Sequence, residues 1–523
     1  MKYTAALATP HALATEAGMQ AYRDGGNAID AAIAAAAVLT VVYPHNVALG
    51  GDLIALVRTP EGTVRCVNAS GWAGAATDVA ELRARHGGSL PARGADAVTV
   101  PGGVRGWEAM RGFGAHLDWT AALSAAETVA RTGAPVAPSL ASHIVDTENA
   151  DLFGTEDFDR VFRPRGTSLR VGDDFVQPLL ADSFAALREG GPDVFYTGEL
   201  AESCTSYLRS RGSALTVDDF AAFEPDIVEP ISTSFGGLTV LTSPPNTHGV
   251  LMLRALRAVD ELAIADPLGD GFGTLMRVFH RGNALRATYI ADPRFVDVDV
   301  ASLANDGLGV MADLGVAETG PAPVPHGDTV GVAAADSDGY AVSLIQSVYH
   351  AFGSGLIDPA TGILFHNRGT SFALDDKSPN VIAPRKRPLH TLMPVMTLDG
   401  GALRHVMATM GGQGQPQILA QVLLRSLDGV AAEGSVAAPR AVVGLQSDGA
   451  TVDSVTAESD LPTAARASIA RSGLTPIEVA PGTEALGHAN VVIADAEGSM
   501  TAASDPRSDG AAVVAHFPRV VGS

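Results

Sequence analysis

Apolar residues recur along the chain with periods that predict both helices and strands. Residues 11–22 and Ala28–Val42 are alanine-rich and apolar at three- and four-residue spacing, which predicts two helices. Gly25, Gly26 and Asn27 separate them. The second helix is apolar on nearly every side, so we expect it in the interior. Residues 250–262 have one apolar face and predict an amphipathic helix.

Runs of β-branched and other apolar residues between turn-forming residues predict the strands. The strands are predicted at residues 53–58, Val64–Ala69, 231–241, Ala402–Thr409 and 491–494. Residues from about 108 to 225 are mainly helical by their spacing, and residues 418–426 predict a further helix. Together the predicted helices and strands indicate an α/β fold.

A β-hairpin is predicted around residues 336–339, whose Asp-Ser-Asp-Gly sequence favours a tight turn. Residues 330–335 form the strand before this turn, and residues 340–348 form the strand after it. Folding back at the turn places Thr329 opposite residues 346–348. The Ser347 hydroxyl is then expected within about one residue of Thr329 across the ladder.

Thr329, which follows Gly327 and Asp328, is a candidate N-terminal nucleophile. If the peptide bond between Asp328 and Thr329 were cleaved, Thr329 would carry a free α-amine as well as its hydroxyl. That amine can act as general base for the side chain of the same residue. The alternative is an ordinary first residue of a strand, which is the more common meaning of so short a motif.

The composition limits the classes of function. The 35 basic and 58 acidic residues give a net charge of −23, which disfavours binding to nucleic acid. The length of 523 residues permits about three domains or one large α/β body. Cys66 and Cys204 are too few for a disulfide framework, and the sequence has no zinc-ligand spacing. We therefore expect no metal and no organic cofactor.

The sequence also bears on location. No run of about 18 apolar residues is present, so no membrane span or membrane partner is expected. The first residues lack the apolar region and cleavage pattern of a secretory signal, which favours a cytoplasmic protein.

Ten short motifs are spread over nearly the full length of the chain. They are GGNAIDAAIAAA (25–36), LGGD (49–52), VPGGVRGW (100–107), GGPDVFYTGELAE (190–202), SPPNTHG (243–249), GDT (327–329), FGSG (352–355), RPLHTLMP (387–394), MGGQGQPQ (410–417) and ASDPRSDG (503–510). In these motifs and their order the chain resembles the gamma-glutamyltransferase family of self-cleaving N-terminal-nucleophile hydrolases. The later motifs are more similar to oxamate-amidohydrolase-like members than to glutathione-cleaving transferases.

The resemblance implies a four-layer αββα sandwich and self-cleavage between Asp328 and Thr329. The products would be a large chain, 1–328, and a small chain, 329–523, which remain intertwined as a heterodimer. Whether that heterodimer dimerises further stays open. By the same resemblance Thr329 is the nucleophile, Ser347 hydrogen-bonds it, and the backbone N–H groups of Gly411 and Gly412 form the oxyanion hole.

Several positions of the expected substrate site differ from those of the transferases. Arg368 and Ser371 replace a glutamine and an aspartate that bind the amino group of the substrate, and Tyr349 replaces an asparagine. His390 and Thr391 stand where the transferases have two serines. Arg368 could instead form a surface or structural ion pair, and His390 and Thr391 could be ordinary loop residues.

The loop at residues 68–72 differs as well. Ser70 stands where transferases carry the arginine that binds the α-carboxylate of the substrate. Trp72 stands where amidohydrolase-like relatives tend to have an arginine. A bidentate carboxylate clamp is therefore missing from this loop.

These substitutions favour a self-processing amidohydrolase acting on a small carboxylate-bearing substrate such as oxamate. One alternative is a gamma-glutamyl hydrolase or transferase acting on glutathione-like compounds. Another is a biosynthetic relative that cleaves a carbon–carbon bond to an oxalyl-type group. The last is an unprocessed, non-catalytic binding protein.

Overall fold

The computed structural model describes residues 2–297, 299–305, 328–447 and 449–518. The region 263–328 ends in Pro- and Gly-rich sequence, which predicts a mobile tether before the cleavage site. Residues 306–327 of this region lie outside the described residues.

The helices follow the predicted apolar segments closely. The predicted interior helix occupies Ala28–Val42 and is buried at every position. Asn27 and Asp30 close its first turn as a capping box. The helices are α1 Ala12–Arg23, α2 Ala28–Val42, α3 Val79–His86, α4 Gly103–Arg111, α5 Trp119–Thr132, α6 Pro138–Val145, α7 Glu156–Phe162, α8 Pro178–Gly190, α9 Asp193–Tyr196, α10 Glu199–Ser210, α11 Val217–Ala221, α12 Gly249–Glu261, α13 Phe272–Tyr289, α14 Val300–Asn305, α15 Gln415–Leu427, α16 Ala432–Ala437 and α17 Thr463–Arg471.

The strands also agree with the prediction, with one correction. The single strand predicted at residues 231–241 is two strands, because Gly236 and Gly237 adopt positive φ angles of 56° and 80° and turn the chain back. The strands are β1 Lys2–Thr9, β2 Asp52–Arg58, β3 Val64–Ala69, β4 Ala134–Pro135, β5 Asp174–Phe175, β6 Asp226–Val228, β7 Ile231–Phe235, β8 Leu238–Thr242, β9 Asp328–Asp336, β10 Ala341–Tyr349, β11 Val395–Asp399, β12 Ala402–Thr409, β13 Ala441–Val443, β14 Ser454–Glu458, β15 Thr475–Val479, β16 Ala489–Ala494, β17 Met500–Ser504 and β18 Ala511–Pro518.

Two large sheets contain strands from both sides of the predicted cleavage site. The first sheet has the order β18-β1-β9-β10-β2-β3-β6, and the second has the order β17-β16-β12-β11-β8-β7. In the first sheet, β1 pairs with β18 on one side and with β9 on the other. The segments before and after residue 328 therefore share both sheets.

The core lies between and around these sheets. Ala6, Ile54 and Ala333 of the first sheet share one buried apolar cluster with Met396 and Val406 of the second. On its other side the first sheet packs against α1, α2 and α4, and α5 and α8 pack behind α2. The second packs against α12, α15 and α16. No helix within the described residues combines the length and apolar character needed to cross a bilayer.

Small residues allow β9 and β12 to approach each other closely. A Cβ atom at Gly331 would lie 2.8 Å from the Ala408 carbonyl carbon, so only glycine fits there. Thr329 lies two residues before Gly331, and the Gly411-Gly412 pair begins three residues after Ala408. The candidate nucleophile and the candidate oxyanion glycines are thus carried by two strands in direct contact.

Candidate active site

The β9–β10 hairpin has the predicted register. Ser347 lies directly opposite Thr329, and Gln346 lies opposite Val330. The turn is closed by the Asp336 carboxylate, which accepts hydrogen bonds from the N–H groups of Asp338 and Tyr340. Both strands are buried along their whole length.

One hydroxyl connects the candidate nucleophile to the carbonyl of the bond expected to break. Thr329 Oγ1 donates to Ser347 Oγ at 3.0 Å, and Ser347 Oγ donates to the Asp328 carbonyl at 2.6 Å. The Tyr349 N–H also donates to Ser347 Oγ, at 2.8 Å. The Thr329 side chain is 1% exposed. A nucleophile (the Thr329 hydroxyl), its hydrogen-bond acceptor (Ser347 Oγ) and a polarised carbonyl (that of Asp328) therefore lie next to one another.

Two residues that sequence reasoning missed hold this peptide in position. Asn46 Nδ2 donates to the Thr329 carbonyl at 3.3 Å, and His143 Nε2 lies 3.5 Å from the Asp328 carboxylate. Burial opposes the charge on His143, but its close approach to the Asp328 carboxylate, with a further contribution from Glu484, raises its pKa to about 10. The imidazole is therefore a cation at neutral pH.

The loop from α2 to β2 brings Asn46 to the hairpin. A Cβ at Gly51 would lie 2.5 Å from the Ser347 carbonyl oxygen, and one at Gly50 would lie 2.3 Å from that of Leu364. The glycine pair of the LGGD motif thus permits close approach to β10 at Gly51 and to the segment around Leu364 at Gly50. In the sequence, Asn46 could have been identified as a site residue because it lies three positions before the LGGD motif. His143 has no neighbouring motif from which its role could have been predicted.

Gly411 and Gly412 have a conformation that requires glycine. Their φ angles are 141° and 51°, and a Cβ at Gly411 would lie 2.3 Å from Ile418 Cδ1. Among the described residues, neither backbone N–H has a hydrogen-bond acceptor. Two unused donors at the end of β12 suit an oxyanion hole.

Arg368 is the centre of the expected substrate cluster. It donates to Ser371 Oγ at 3.3 Å and to Thr391 Oγ1 at 3.2 Å, and its guanidinium lies 3.6 Å from the centre of the Tyr349 ring. Four of the five expected substrate-site residues are therefore brought together.

Arg368 forms no direct ion pair. Asp52 acts on its charge from beyond ion-pair distance and is itself hydrogen-bonded to His390 and the Gly71 N–H. The side chain is 1% exposed, and no carboxylate of the described residues lies within ion-pair distance of it. It is therefore not a surface residue or a member of an ion pair. Burial lowers the pKa of the guanidinium to about 10, so it stays charged at neutral pH.

Tyr349 adopts an unusual backbone conformation. Its φ angle is 81°, in the left-handed region that is costly for a bulky residue. This conformation occurs where the β9–β10 register shifts after Ser347. The shift carries the Tyr349 ring to the Arg368 guanidinium.

His390 belongs to a neighbouring buried group. Its Nε2 lies 3.1 Å from Asp52, and its Nδ1 accepts from the Leu392 N–H. Burial and the charge of Arg368 lower the pKa of His390 to about 3, so it is neutral and donates Nε2–H to Asp52. Asp52 also accepts the Gly71 N–H at 3.0 Å and lies 3.4 Å from His366. Sequence reasoning missed the roles of Asp52 and His366, although Asp52 ends the LGGD motif.

The loop at residues 68–72 offers no cation for a substrate. Ser70 Oγ donates to Asn68 Oδ1 at 2.7 Å. The two arginines nearest to Trp72 are already neutralised, Arg387 by Asp226 and Arg294 by Asp292. Across the described ranges, no group of three or more His, Cys, Asp or Glu side chains is arranged to hold a metal ion.

Comparisons with known proteins define the class. The model of the gamma-glutamyltranspeptidase family matches residues 14–515. The fold is similar to that of the cephalosporin acylase from Bacillus halodurans, with a TM-score of 0.90 and 31% identity, covering 98% of this chain and 96% of the acylase. The chain is thus an enzyme of the N-terminal-nucleophile hydrolase class, with several sheets and helices in a mixed fold.

Two curated relatives match over almost their full length. The oxamate amidohydrolase proenzyme of Klebsiella pneumoniae is 37% identical, over 96% of this chain and 97% of its own. The glutathione hydrolase-like YwrD proenzyme of Bacillus subtilis is 34% identical, over 97% and 98%. This chain belongs to the gamma-glutamyltranspeptidase family, whose members include proenzymes of amidohydrolases and acylases.

Proposed function

We propose that this enzyme cleaves itself between Asp328 and Thr329 and then hydrolyses the amide bond of a small substrate that carries a carboxylate beside the cleaved carbonyl, such as oxamate. The observation that carries the substrate assignment is the Arg368 guanidinium, which is buried with hydroxyl partners and with no carboxylate of the described residues at ion-pair distance. A substrate carboxylate would supply the missing negative charge.

The hydrogen bonds that join the Thr329 hydroxyl, the Ser347 hydroxyl and the Asp328 carbonyl support a mechanism of self-cleavage. Thr329 Oγ attacks the Asp328 carbonyl carbon, the peptide C–N bond breaks, and an ester forms between the two residues while the hydroxyl proton passes to the departing Thr329 nitrogen. Ser347, which donates to that carbonyl oxygen, stabilises the negative charge that develops there. Water then hydrolyses the ester, leaving a carboxylate on Asp328 and a free amine on Thr329.

The products would be chains 1–328 and 329–523, which we infer form one heterodimer with the four-layer αββα architecture. The shared sheets support this inference, since β9 of the small chain lies between β1 of the large chain and β10 of the small one.

Hydrolysis would use the new N-terminus. The Thr329 amine takes the proton of Oγ as the oxygen attacks the substrate carbonyl carbon. The oxyanion accepts hydrogen bonds from the N–H groups of Gly411 and Gly412. The amide nitrogen leaves as ammonia with the transferred proton, and water releases the acyl group, which for oxamate gives oxalate.

The charges of the site support a substrate without an ammonium group. Arg368 would repel the α-amine of a gamma-glutamyl group, and the 68–72 loop has no available arginine for its α-carboxylate. An acyl group with a single carboxylate fits both observations.

A substrate panel tests this proposal. Purified wild-type enzyme is assayed with oxamate, glutathione and a gamma-glutamyl anilide, and release of ammonia or of the leaving group is measured. We expect turnover of oxamate, and we expect Arg368→Gln to lower kcat/KM roughly 10- to 100-fold through loss of a charged hydrogen bond. Oxamide, which lacks the carboxylate, is the control whose turnover Arg368→Gln should not lower. Turnover of the gamma-glutamyl compounds alone would contradict the assignment.

Mass analysis of the N-termini tests self-cleavage separately. Active enzyme should contain a chain beginning Thr-Val-Gly-Val, and Thr329→Ala should remain one inactive chain of 523 residues. Thr329→Ser, which keeps a hydroxyl, is the matched control and should still cleave. An intact wild-type chain without hydrolytic activity would favour the binding-protein alternative.

A further inference from the structure

A second buried arginine, Arg286 on α13, contacts the loop that carries the oxyanion glycines. Its Nη1 donates to Gln413 Oε1 at 2.5 Å, and its Nη2 donates to the Gln413 carbonyl at 3.2 Å. Gln413 directly follows Gly412. Nη2 also donates to Asn283 Oδ1 at 2.9 Å, one helical turn earlier on α13. The guanidinium therefore holds both the backbone and the side chain of the residue next to the oxyanion hole.

We propose that Arg286 is a positioning residue, which fixes the Gly411-Gly412 loop and places a permanent positive charge beside the oxyanion that forms during hydrolysis. This role rests on the proposed use of those glycines.

All of the Arg286 acceptors are neutral. In the part of the chain that the structure describes, no Asp or Glu lies within ion-pair distance of its guanidinium, and its Nε has no hydrogen-bond partner. Burial lowers the pKa of Arg286 to about 10, so the group remains charged at neutral pH. A buried cation without a counter-charge is unfavourable unless negative charge arrives during function.

The titratable groups around Arg286 do not pair with its charge. Burial and the nearby charge of Arg286 lower the pKa of His248 well below its usual range, so that ring is neutral. Tyr349 lies within electrostatic range of both Arg286 and Arg368. The site thus contains two buried guanidinium groups with no carboxylate of the described residues at ion-pair distance, and Asp52 acts only on Arg368, from farther away.

The reaction would supply two negative charges. The substrate carboxylate provides one, which we assign to Arg368, and attack on the carbonyl creates the other. Because Gln413 joins Arg286 to the oxyanion loop, we assign the second charge to Arg286. Its attraction is stronger in the transition state than in the bound substrate, so its loss should lower kcat and leave KM nearly unchanged.

Kinetics of Arg286→Gln and Arg286→Lys test this assignment. Glutamine should lower kcat roughly 100-fold, as removal of an oxyanion-stabilising group does, with KM within about twofold. Lysine keeps the charge and should recover at least about tenfold of the lost kcat, which a purely structural contact would not predict. Arg277→Gln, on the same helix, is the matched control and should leave both constants unchanged.

The assay uses whichever amide of the panel the wild-type enzyme hydrolyses, so an error in the choice of oxamate does not decide this test. Self-cleavage should survive in both Arg286 variants, since the Asp328 carbonyl is bonded by Ser347 and not by the glycine loop. A rise in KM at constant kcat would overturn the proposal and assign Arg286 to a second carboxylate of the substrate. Unchanged kinetics, equal loss in both variants, or loss of self-cleavage in both would also overturn it.

Discussion

Ser347 joins the two groups that must react during self-cleavage. Its oxygen accepts hydrogen bonds from the Thr329 hydroxyl and the Tyr349 N–H, and its own hydrogen is directed to the Asp328 carbonyl. A hydroxyl suits this position because it accepts and donates at the same atom. Apolar substitution would remove both functions at once.

We expect Ser347→Ala to slow self-cleavage roughly 100-fold, the order of effect seen when one donor to a developing oxyanion is lost. The appearance of the two chains on a denaturing gel over time measures this rate. Ser347→Thr should retain most of it.

Ser343→Ala is the matched control, since Ser343 lies on the same strand, equally buried, and donates to the Met407 carbonyl. It should lower stability without slowing cleavage. Cleavage of Ser347→Ala at the wild-type rate would contradict the role assigned to this hydroxyl.

At the scale of elements, the position of the two oxyanion N–H groups depends on the backbone conformation of the segment between β12 and α15. Gly411 combines a positive φ with close contact to Ile418, and the following 3-10 turn is closed by the Gly414 N–H bonded to the Gly411 carbonyl. A side chain at residue 411 would have to displace the loop, and the two N–H groups would move with it.

We expect Gly411→Ala to lower kcat at least about 100-fold, because the oxyanion donors no longer meet the reacting carbonyl. Steady-state kinetics and the melting temperature measure the effect. Gly429→Ala is the control: its φ is 83° but no atom lies within 4 Å of the added Cβ. It should cost about 1–2 kcal/mol of stability and leave kcat unchanged. If the two substitutions lowered kcat equally, displacement of the Gly411-Gly412 loop would not explain the loss of activity.

For the molecule as a whole, strand order determines how the products of cleavage behave. β1 is hydrogen-bonded to β18 over eight residue pairs and also pairs with β9. Two strands of the small chain therefore flank one strand of the large chain. Separating the chains would expose the cores on both sides of the sheet.

We expect the cleaved chains to elute together in gel filtration and to separate only after unfolding. Collected peaks run on a denaturing gel, with and without prior urea treatment, measure this. Elution of either chain alone from native enzyme would contradict the shared-sheet arrangement.

The charge pair at the cleavage site should make the stability of the uncleaved protein depend on pH. The pKa of His143 is raised from 6.5 to about 10 in the folded protein, against burial, by Asp328 and Glu484. The stability this provides is fully present below pH 6.5 and is lost as pH rises through about 10.

Uncleaved Thr329→Ala protein should therefore lose stability between pH 6.5 and 10, measured by urea unfolding. The same protein with His143→Gln is the control and should show a smaller change over that range. The two variants must be compared with each other, because Glu484 adds its own pH dependence. Burial raises the pKa of Glu484 from 4.5 to about 7, so the contribution of that group to stability is lost as pH rises from 4.5 through about 7. If the free energy of unfolding changed with pH in the same way in both proteins, His143 would be excluded as the source of the pH dependence.

The sequence by itself determined the features that depend on neighbouring residues. The apolar period defined α2 to the residue, and the Asp-Ser-Asp-Gly turn set the register that pairs Ser347 with Thr329. The prediction of one strand at residues 231–241 was wrong, although the Gly236-Gly237 pair between two strand-like runs is a turn signal in the sequence itself. The family motifs named Arg368 but could not tell whether an acid neutralised it.

Only the tertiary structure decided which distant side chains meet. Asn46 and Thr329 are 283 positions apart, and Arg286 and Gln413 are 127 apart. Local periodicity contains no information about such contacts, because they depend on the order of strands in each sheet and on how closely the two sheets pack. The same packing determines which charges are buried without partners, and it is those charges that indicate the substrate.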